Sequence, residues 1–237
     1  MVSVCIATYN GEKYIGEQLA SILPQLSSED EVIVSDDGST DNTLGVARGF
    51  ADNRIRIVDG THRNSPTPNF ENALRHAKGD IIFLADQDDV WMKEKVKVCM
   101  KALEKSDCMV SDAIVTDDKL NVMNTSMYNM LKVKHGRLYN LLCHNGYSGC
   151  CMAFKRKVLE RALPFPNEIP MHDIWIGNVA AFFYSITFVK HQLVKFRRHD
   201  NVVSCNGKGS GYSIGRRIII RLNTIKSLLR LAVRHMF

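Results

Sequence analysis

Along the first hundred residues, short apolar runs that end in polar turn residues alternate with stretches of helical spacing. VSVCIATYN and DEVIVSDDGSTD are two such runs, and between them GEKYIGEQLASILPQL sets Tyr14, Leu19, Ile22, Leu23 and Leu26 at helical intervals. The β-α-β unit repeats: TLGVARGFA reads as helix, RIRIVDG as strand, NFENALRHAKG as helix and DIIFLADQDD as strand. Strands alternating with helices of about ten residues predict an α/β fold, a mostly parallel central sheet flanked by helices and joined by right-handed crossovers. Further on, WMKEKVKVCMKALEKS reads as helix, CMVSDAIVTDD as strand, SGCCMAFKRKVLERAL as strand then helix, and HDIWIGNVAAFF as a helix with HD at its start. SITFVKHQLVKFRRHDNVVS suggests one or two closing strands, and residues 123–147 show no clear period.

The pattern divides the chain into a body over 1–205, a Gly/Ser-rich linker over 206–213 and a tail over 214–237. The tail puts Ile218, Leu222, Ile225, Leu229, Ala232 and Met236 on one helical stripe, ringed by Arg216, Arg217, Arg221, Lys226, Arg230 and Arg234 with no acidic residue. Those six account for the whole net charge of +6, leaving 25 basic and 25 acidic residues in the rest of the chain. A basic amphipathic helix of this kind suits an anionic membrane surface. The alternative is a helix docked on the body or on a second copy in a homodimer; nucleic acid is not expected.

Composition narrows the class. With 45% hydrophobic and 24% charged residues, 237 residues suit one ordinary globular domain, or one domain with an appendage. MVSVCIATYN reads as a first strand rather than a leader, and no apolar run approaches the roughly 20 residues that span a bilayer. Seven scattered cysteines without a CxxC pair argue against a disulfide framework or a zinc site. The expectation is a cytoplasmic protein, peripheral on the cytoplasmic face of a membrane.

Candidate chemistry lies at strand ends, since open α/β sheets bind ligands outside the carboxyl ends of their strands. Those ends are ATYN, SDDGSTD and ADQDD. Asp86 and Asp88 are two carboxylates one residue apart; clustered carboxylates repel unless a cation intervenes, and oxygen ligands suit Mg²⁺ or Mn²⁺. Asp89 is expected to begin the following helix near Trp91. In SDDGSTD, Gly38 to Asp41 explain a turn and a helix cap, which leaves Asp37 free to accept a base N–H. Tyr9 offers a stacking ring, while Asp173 and His199 suggest a base and a further metal ligand.

VSVCIATYNGEKYIGEQLASIL, EVIVSDDGSTDNT, AKGDIIFLADQDDVW, GYSGCCMAFKRKVL, MHDIWIG and RRHDNVVS, in that order over roughly residues 2–205, resemble the landmarks of family 2 inverting glycosyltransferases of the GT-A fold. Within that family, DQDDVW is similar to the bacterial rhamnosyltransferase-like enzymes of surface-polysaccharide synthesis. The resemblance implies a hexosyltransferase that takes a UDP- or dTDP-sugar, rhamnose among the candidates, to a hydroxyl of a glycan or lipid-linked oligosaccharide. It implies that Thr8, Tyr9 and Asp37 hold the pyrimidine, that Asn69 lies on the donor side, and that Asp86 contacts the ribose or nearby donor groups. Asp88 and His199 would ligate Mn²⁺ or Mg²⁺, Asp173 would be the general base, and Gly149 and Cys150 would begin the acceptor-side loop. The tail is shorter than in many such enzymes, and the QxxRW motif of processive synthases does not occur, so a single sugar is expected to be moved. An inert carbohydrate-binding or scaffold member and a sugar-nucleotide nucleotidyltransferase are the competing readings; the latter lacks its Gly-rich phosphate loop after the first strand.

Overall fold

The computed structural model describes residues 1–199 and 213–234. Its first half is the expected alternation: β1 (Val2–Thr8), α1 (Ile15–Ile22), β2 (Glu31–Asp36), α2 (Thr43–Gly49), β3 (Ile55–Asp59), α3 (Pro66–His76) and β4 (Ile81–Asp86). β1 pairs in parallel with both β2 and β4, and β2 with β3. The chain therefore winds outward from β1 to β3 and then crosses to the other side of β1, which makes the gap between β1 and β4 a topological switch point. Register brings the strand ends level there: Thr8 lies opposite Asp36 and Ala7 opposite Asp86.

These strands are short and almost wholly apolar because both faces are covered. Val4, Cys5 and Ile6 of β1, Val32, Ile33 and Val34 of β2, and Ile82, Phe83 and Leu84 of β4 are all fully buried. α1 adds Ile15, Leu19 and Ile22 to the same core, and α3 adds Phe70, Ala73 and Leu74. Truncating Leu19 to alanine would cost about 2–5 kcal/mol, because a filled core cannot collapse fully around the void. α3 starts with Pro66 in its first turn after an extended Ser65, where the missing N–H costs nothing.

The second half is mixed. It contains β5 (Val90–Trp91), α4 (Lys95–Leu103), β6 (Cys108–Thr116), β7 (Val122–Asn124), α5 (Met127–Leu131), α6 (Arg137–Leu142), a 3-10 turn over Gly149–Cys151, β8 (Met152–Lys155), α7 (Arg156–Ala162), α8 (His172–Phe183), β9 (Ile186–Arg197) and α9 (Ile214–Arg234). Among the described residues the sheet order is β3-β2-β1-β4-β8-β6-β9-β5, with β7 on β6. β8 is antiparallel to both β4 and β6, whereas β6 and β9 run parallel. Among the described residues the closing segment is one strand, β9, irregular against β6 near Asp112.

Two expectations are corrected. The helix after DQDDVW begins at Lys95, not near Trp91, because Val90 and Trp91 pair with Lys195 and Val194 of β9. Asp89 accordingly caps nothing: it is fully buried behind the turn. The linker over 206–212, residue 205 and Met236 lie outside the described residues. No described helix is long and apolar enough to cross a membrane.

Candidate active site

A cleft of about 500 Å³ opens at the carboxyl ends of β1, β2 and β4. On its β2 side Asp36 is saturated: it accepts from Thr8 Oγ1 (2.9 Å), from Ser39 N–H (2.9 Å) and from Ser39 Oγ. Gly38 makes this turn at φ +90°, a conformation that favours glycine. Asp37 is buried, lines the cleft and accepts from Thr61 Oγ1 (3.1 Å) and Ser65 N–H (3.2 Å), which fixes its carboxylate at the cleft wall. Tyr9 is 43% exposed at the rim. Thr8 and Asn69 also line the cleft, but their polar atoms are turned to the scaffold. The Thr8 hydroxyl donates to Asp36, while the Asn69 amide donates to the Thr8 and Ser35 carbonyls (3.2 and 3.0 Å) and latches β1 to β2.

The turn after β4 divides its polar residues. Gln87 does not point at the cleft centre as a ligand; its amide accepts from Tyr9 N–H (3.0 Å) and donates to the Tyr9 carbonyl (3.1 Å), pinning the end of β1. Asp88 meets His199 at 2.8 Å, with side chains 17% and 10% exposed, so a carboxylate oxygen and an imidazole nitrogen face the cleft together. Tyr14 stacks on His199 with ring centroids 4.7 Å apart. Asp86 lines the cleft, and burial, followed by the charges of Asp88 and Asp173, pushes its carboxyl up to about 7. Asp89 accepts from Arg197 N–H (3.0 Å) through one oxygen, and burial beside Asp88 and Asp86 raises its pKa well above the carboxylate range.

The third wall comes from α8 and the 3-10 turn. Asp173 sits in the first turn of α8, where its two oxygens accept from Ile174 N–H (2.7 Å) and Gly149 N–H (3.1 Å). Desolvation pushes its carboxyl up to about 6, against those two hydrogen bonds. Gly149 is tightly enclosed: a Cβ would stand 3.0 Å from His172 Nε2 and 3.4 Å from Asp173 Cβ. His172 is buried against Phe70, and burial lowers its pKa to about 3, so it is a neutral packing group. Cys150 does not line the cleft; its thiol is buried beneath it, and any acceptor-side role falls to Ser148 and Gly149, which do.

One wall thus offers an oriented acceptor for a base N–H, the second a hard carboxylate oxygen beside a borderline imidazole nitrogen, a donor pair that could hold a divalent cation, and the third a carboxylate raised toward neutral pH. Asp86, Asp89 and Cys150 also bring ligand atoms within 4.8 Å of one another. A thiol among hard oxygens matches Mg²⁺ or Mn²⁺ less well than Asp88 and His199 do.

Residues 3–163 match the family model of glycosyl transferase family 2. The chain belongs to that family. The UDP-Glc:alpha-D-GlcNAc-diphosphoundecaprenol beta-1,3-glucosyltransferase WfgD of Escherichia coli is 28% identical to this glycosyltransferase over 203 residues, 81% of this chain and 77% of WfgD. The dTDP-rhamnosyl transferase RfbG of Shigella flexneri is 26% identical over 215 residues, 83% of this chain and 72% of RfbG. Among solved structures, S. aureus TarS 1-349 in complex with UDP-GlcNAc superposes with a TM-score of 0.68 at 23% identity, covering 90% of this chain and 62% of that one. The mannosyltransferase PcManGT from Pyrobaculum calidifontis, in complex with GDP-Man and Mn2+, gives 0.62 at 25% identity, with 97% and 64% covered. The GT-A fold is therefore that of this family 2 glycosyltransferase, and the chain spans less than two thirds of either solved chain.

Sequence reasoning passed over two residues that shape the glycosyltransferase's cleft, Lys95 from behind it and Arg197 in its lining. Lys95 is fully buried; its ammonium donates to the Cys150 carbonyl and lies 4.2 Å from the Trp91 ring centre. Arg197 donates to the Asp88 carbonyl (2.7 Å) and the Asp118 carbonyl (2.6 Å) and pairs with Glu17. Each reads in the sequence as one more surface cation. For Arg197 a faint signal existed in its place two residues before His199.

Proposed function

We propose that this family 2 glycosyltransferase inverts the anomeric centre of a nucleoside-diphosphate sugar while moving one sugar to a hydroxyl of a glycan or lipid-linked oligosaccharide in surface-polysaccharide synthesis. The observation that carries the proposal is the meeting of Asp37, the Asp88–His199 pair and Asp173 in one cleft at the β1/β4 switch point. Asp37 accepts the ring N–H of uracil or thymine, and Tyr9 stacks on the base. Asn69 and Thr8 act by holding that wall in shape. UDP- and dTDP-sugars are favoured, in line with the donors named for WfgD and RfbG, with rhamnose among the candidate sugars.

Asp88 and His199 would hold Mn²⁺ or Mg²⁺, which supplies neutralising charge to the departing diphosphate. Asp86 is assigned the ribose or nearby donor groups. Asp173 takes the proton of the acceptor hydroxyl as that oxygen bonds to the anomeric carbon and the carbon–phosphate oxygen bond breaks on the opposite face. A carboxyl near 6 is ionised at neutral pH yet basic enough to do this. A lipid-linked acceptor would set the reaction on the cytoplasmic face of a membrane.

The test is a hydrolysis and transfer screen of UDP-, dTDP- and GDP-sugars, with and without Mn²⁺. Turnover of a UDP- or dTDP-sugar that disappears on chelation is expected. Binding without turnover in wild type and Asp173→Asn alike would establish the inert reading instead, and turnover of GDP-sugars alone would overturn the role of Asp37.

A further inference from the structure

The tail stripe predicts either a docked helix or an amphipathic membrane helix, and α9 separates these by which face it buries. Its contacts with the body run through Thr224, Ser227, Leu228 and Leu231, packed toward α6 and α8, with Arg221 donating to the Cys143 carbonyl and Arg230 3.9 Å from Glu168. The apolar stripe lies on the opposite side: Ile218, Leu222, Leu229 and Val233 are 50–63% exposed, and Ile219 beside them 58%. At 1.5 Å per residue the row from Ile218 to Val233 is about 22 Å long. Leu222, Ile225, Leu229 and Val233 line a shallow groove edged by Lys226, Arg230 and Arg234. Body contacts thus take two leucines with Thr224 and Ser227, and a second row of large aliphatic residues is left outward. A contiguous apolar row of this size on a soluble surface marks an interaction site.

We infer that the outward face of α9 docks on an anionic lipid bilayer, with Ile218, Leu222, Leu229 and Val233 in the headgroup–acyl boundary and Lys226 and Arg234 at the lipid phosphates. Charge decides between this and a second copy of the chain. α9 carries no acidic residue, so a two-fold contact along the stripe would set its basic edge against itself. An anionic surface meets the same edge with the opposite sign, and each basic residue held near it strengthens binding about fivefold. The inference does not depend on which donor the cleft takes.

The test is co-sedimentation of the full chain with vesicles of phosphatidylcholine alone and of phosphatidylcholine with roughly one third phosphatidylglycerol, chosen so that charge attraction is the variable. Two surface variants accompany wild type: Leu222→Ser/Leu229→Ser, and Lys226→Gln/Arg234→Gln, which leaves the Arg230–Glu168 pair to the body in place. None of these side chains is buried, so the body should fold unchanged, which its thermal transition checks. Wild type should pellet with anionic vesicles and stay in solution with neutral ones, and each variant should lose about tenfold or more in partitioning. Equal binding of wild type and the serine variant, or no binding to anionic vesicles, overturns the inference. A wild-type dimer in light scattering that the serine variant turns into a monomer, without lipid binding, would give the face to a second copy. The readout needs no sugar donor, so an inactive cleft and a failed lipid surface are told apart.

Discussion

Replacing Asp173 by asparagine should leave a protein that is inactive and more stable than wild type at neutral pH. Burial raises the Asp173 carboxyl from 3.8 to about 6. The folded state thus holds this proton more tightly than the unfolded chain. Stability from this group is present below 3.8 and is lost as pH rises from 3.8 to about 6, the reverse of the usual aspartate. At 1.36 kcal/mol per pH unit, the ionised carboxylate costs about 3 kcal/mol at pH 7. Asparagine removes that cost but can accept from only one of the two N–H groups, Ile174 or Gly149, which returns about 1 kcal/mol. The net gain of about 1–2 kcal/mol should raise the melting temperature by roughly 2–8 °C in a chain of this size.

Over the same range the wild-type rate should fall about tenfold per pH unit below 6, because protonated Asp173 cannot take the acceptor's proton. The variant should lose about 10²–10⁴ in kcat. The assay pairs thermal melts of both proteins between pH 4 and 8 with donor turnover of both at saturating Mn²⁺, the variant's own residual profile reading any limb that Asp86, raised to about 7, contributes. A wild-type rate that is flat through pH 6, or a variant less stable than wild type at pH 7 and more stable at pH 4, would refute the reasoning.

Three further outcomes are expected. Asp88→Asn should abolish Mn²⁺-dependent nucleotide binding, and His199→Ala should weaken it with little change in melting temperature; isothermal titration with UDP and Mn²⁺ reads both, and undiminished binding in Asp88→Asn contradicts the metal assignment. Gly149→Ala places a Cβ 3.0 Å from His172 Nε2, so the turn must shift at a cost of about 1–3 kcal/mol; kcat should fall while nucleotide affinity holds, because Gly149 N–H aims Asp173. Lys95→Met should lower stability by about 1–3 kcal/mol, since the Cys150 carbonyl loses its buried donor; an unchanged denaturant midpoint would show that the ammonium contributes nothing there.

The parallel half of the fold was legible because its strands are buried on both faces and its helices are not, so period and polarity change at every boundary. That Asp37, Asp86 and Asp88 meet in one cleft was legible because carboxylates at these strand ends exceed what turns and caps need, whereas Asp173, a single aspartate at a helix start, was singled out by the family resemblance. Asp89 was misread for the same reason inverted: a third aspartate before a helical pattern looks like a cap, and only the pairing of Val90 and Trp91 with β9 delays the helix and turns that side chain inward. β9 arrives from more than a hundred residues away, and no local pattern announces it. Lys95 and Arg197 were invisible on that account too, since a cation that serves the interior carries the same letter as one in water. Their roles also differ: Lys95 stands behind the acidic turn, where its charge lowers the Asp86 pKa, whereas Arg197 lines the cleft, pairs with Glu17 and holds the turn through the Asp88 carbonyl, so it fixes the shape of the turn rather than its charge.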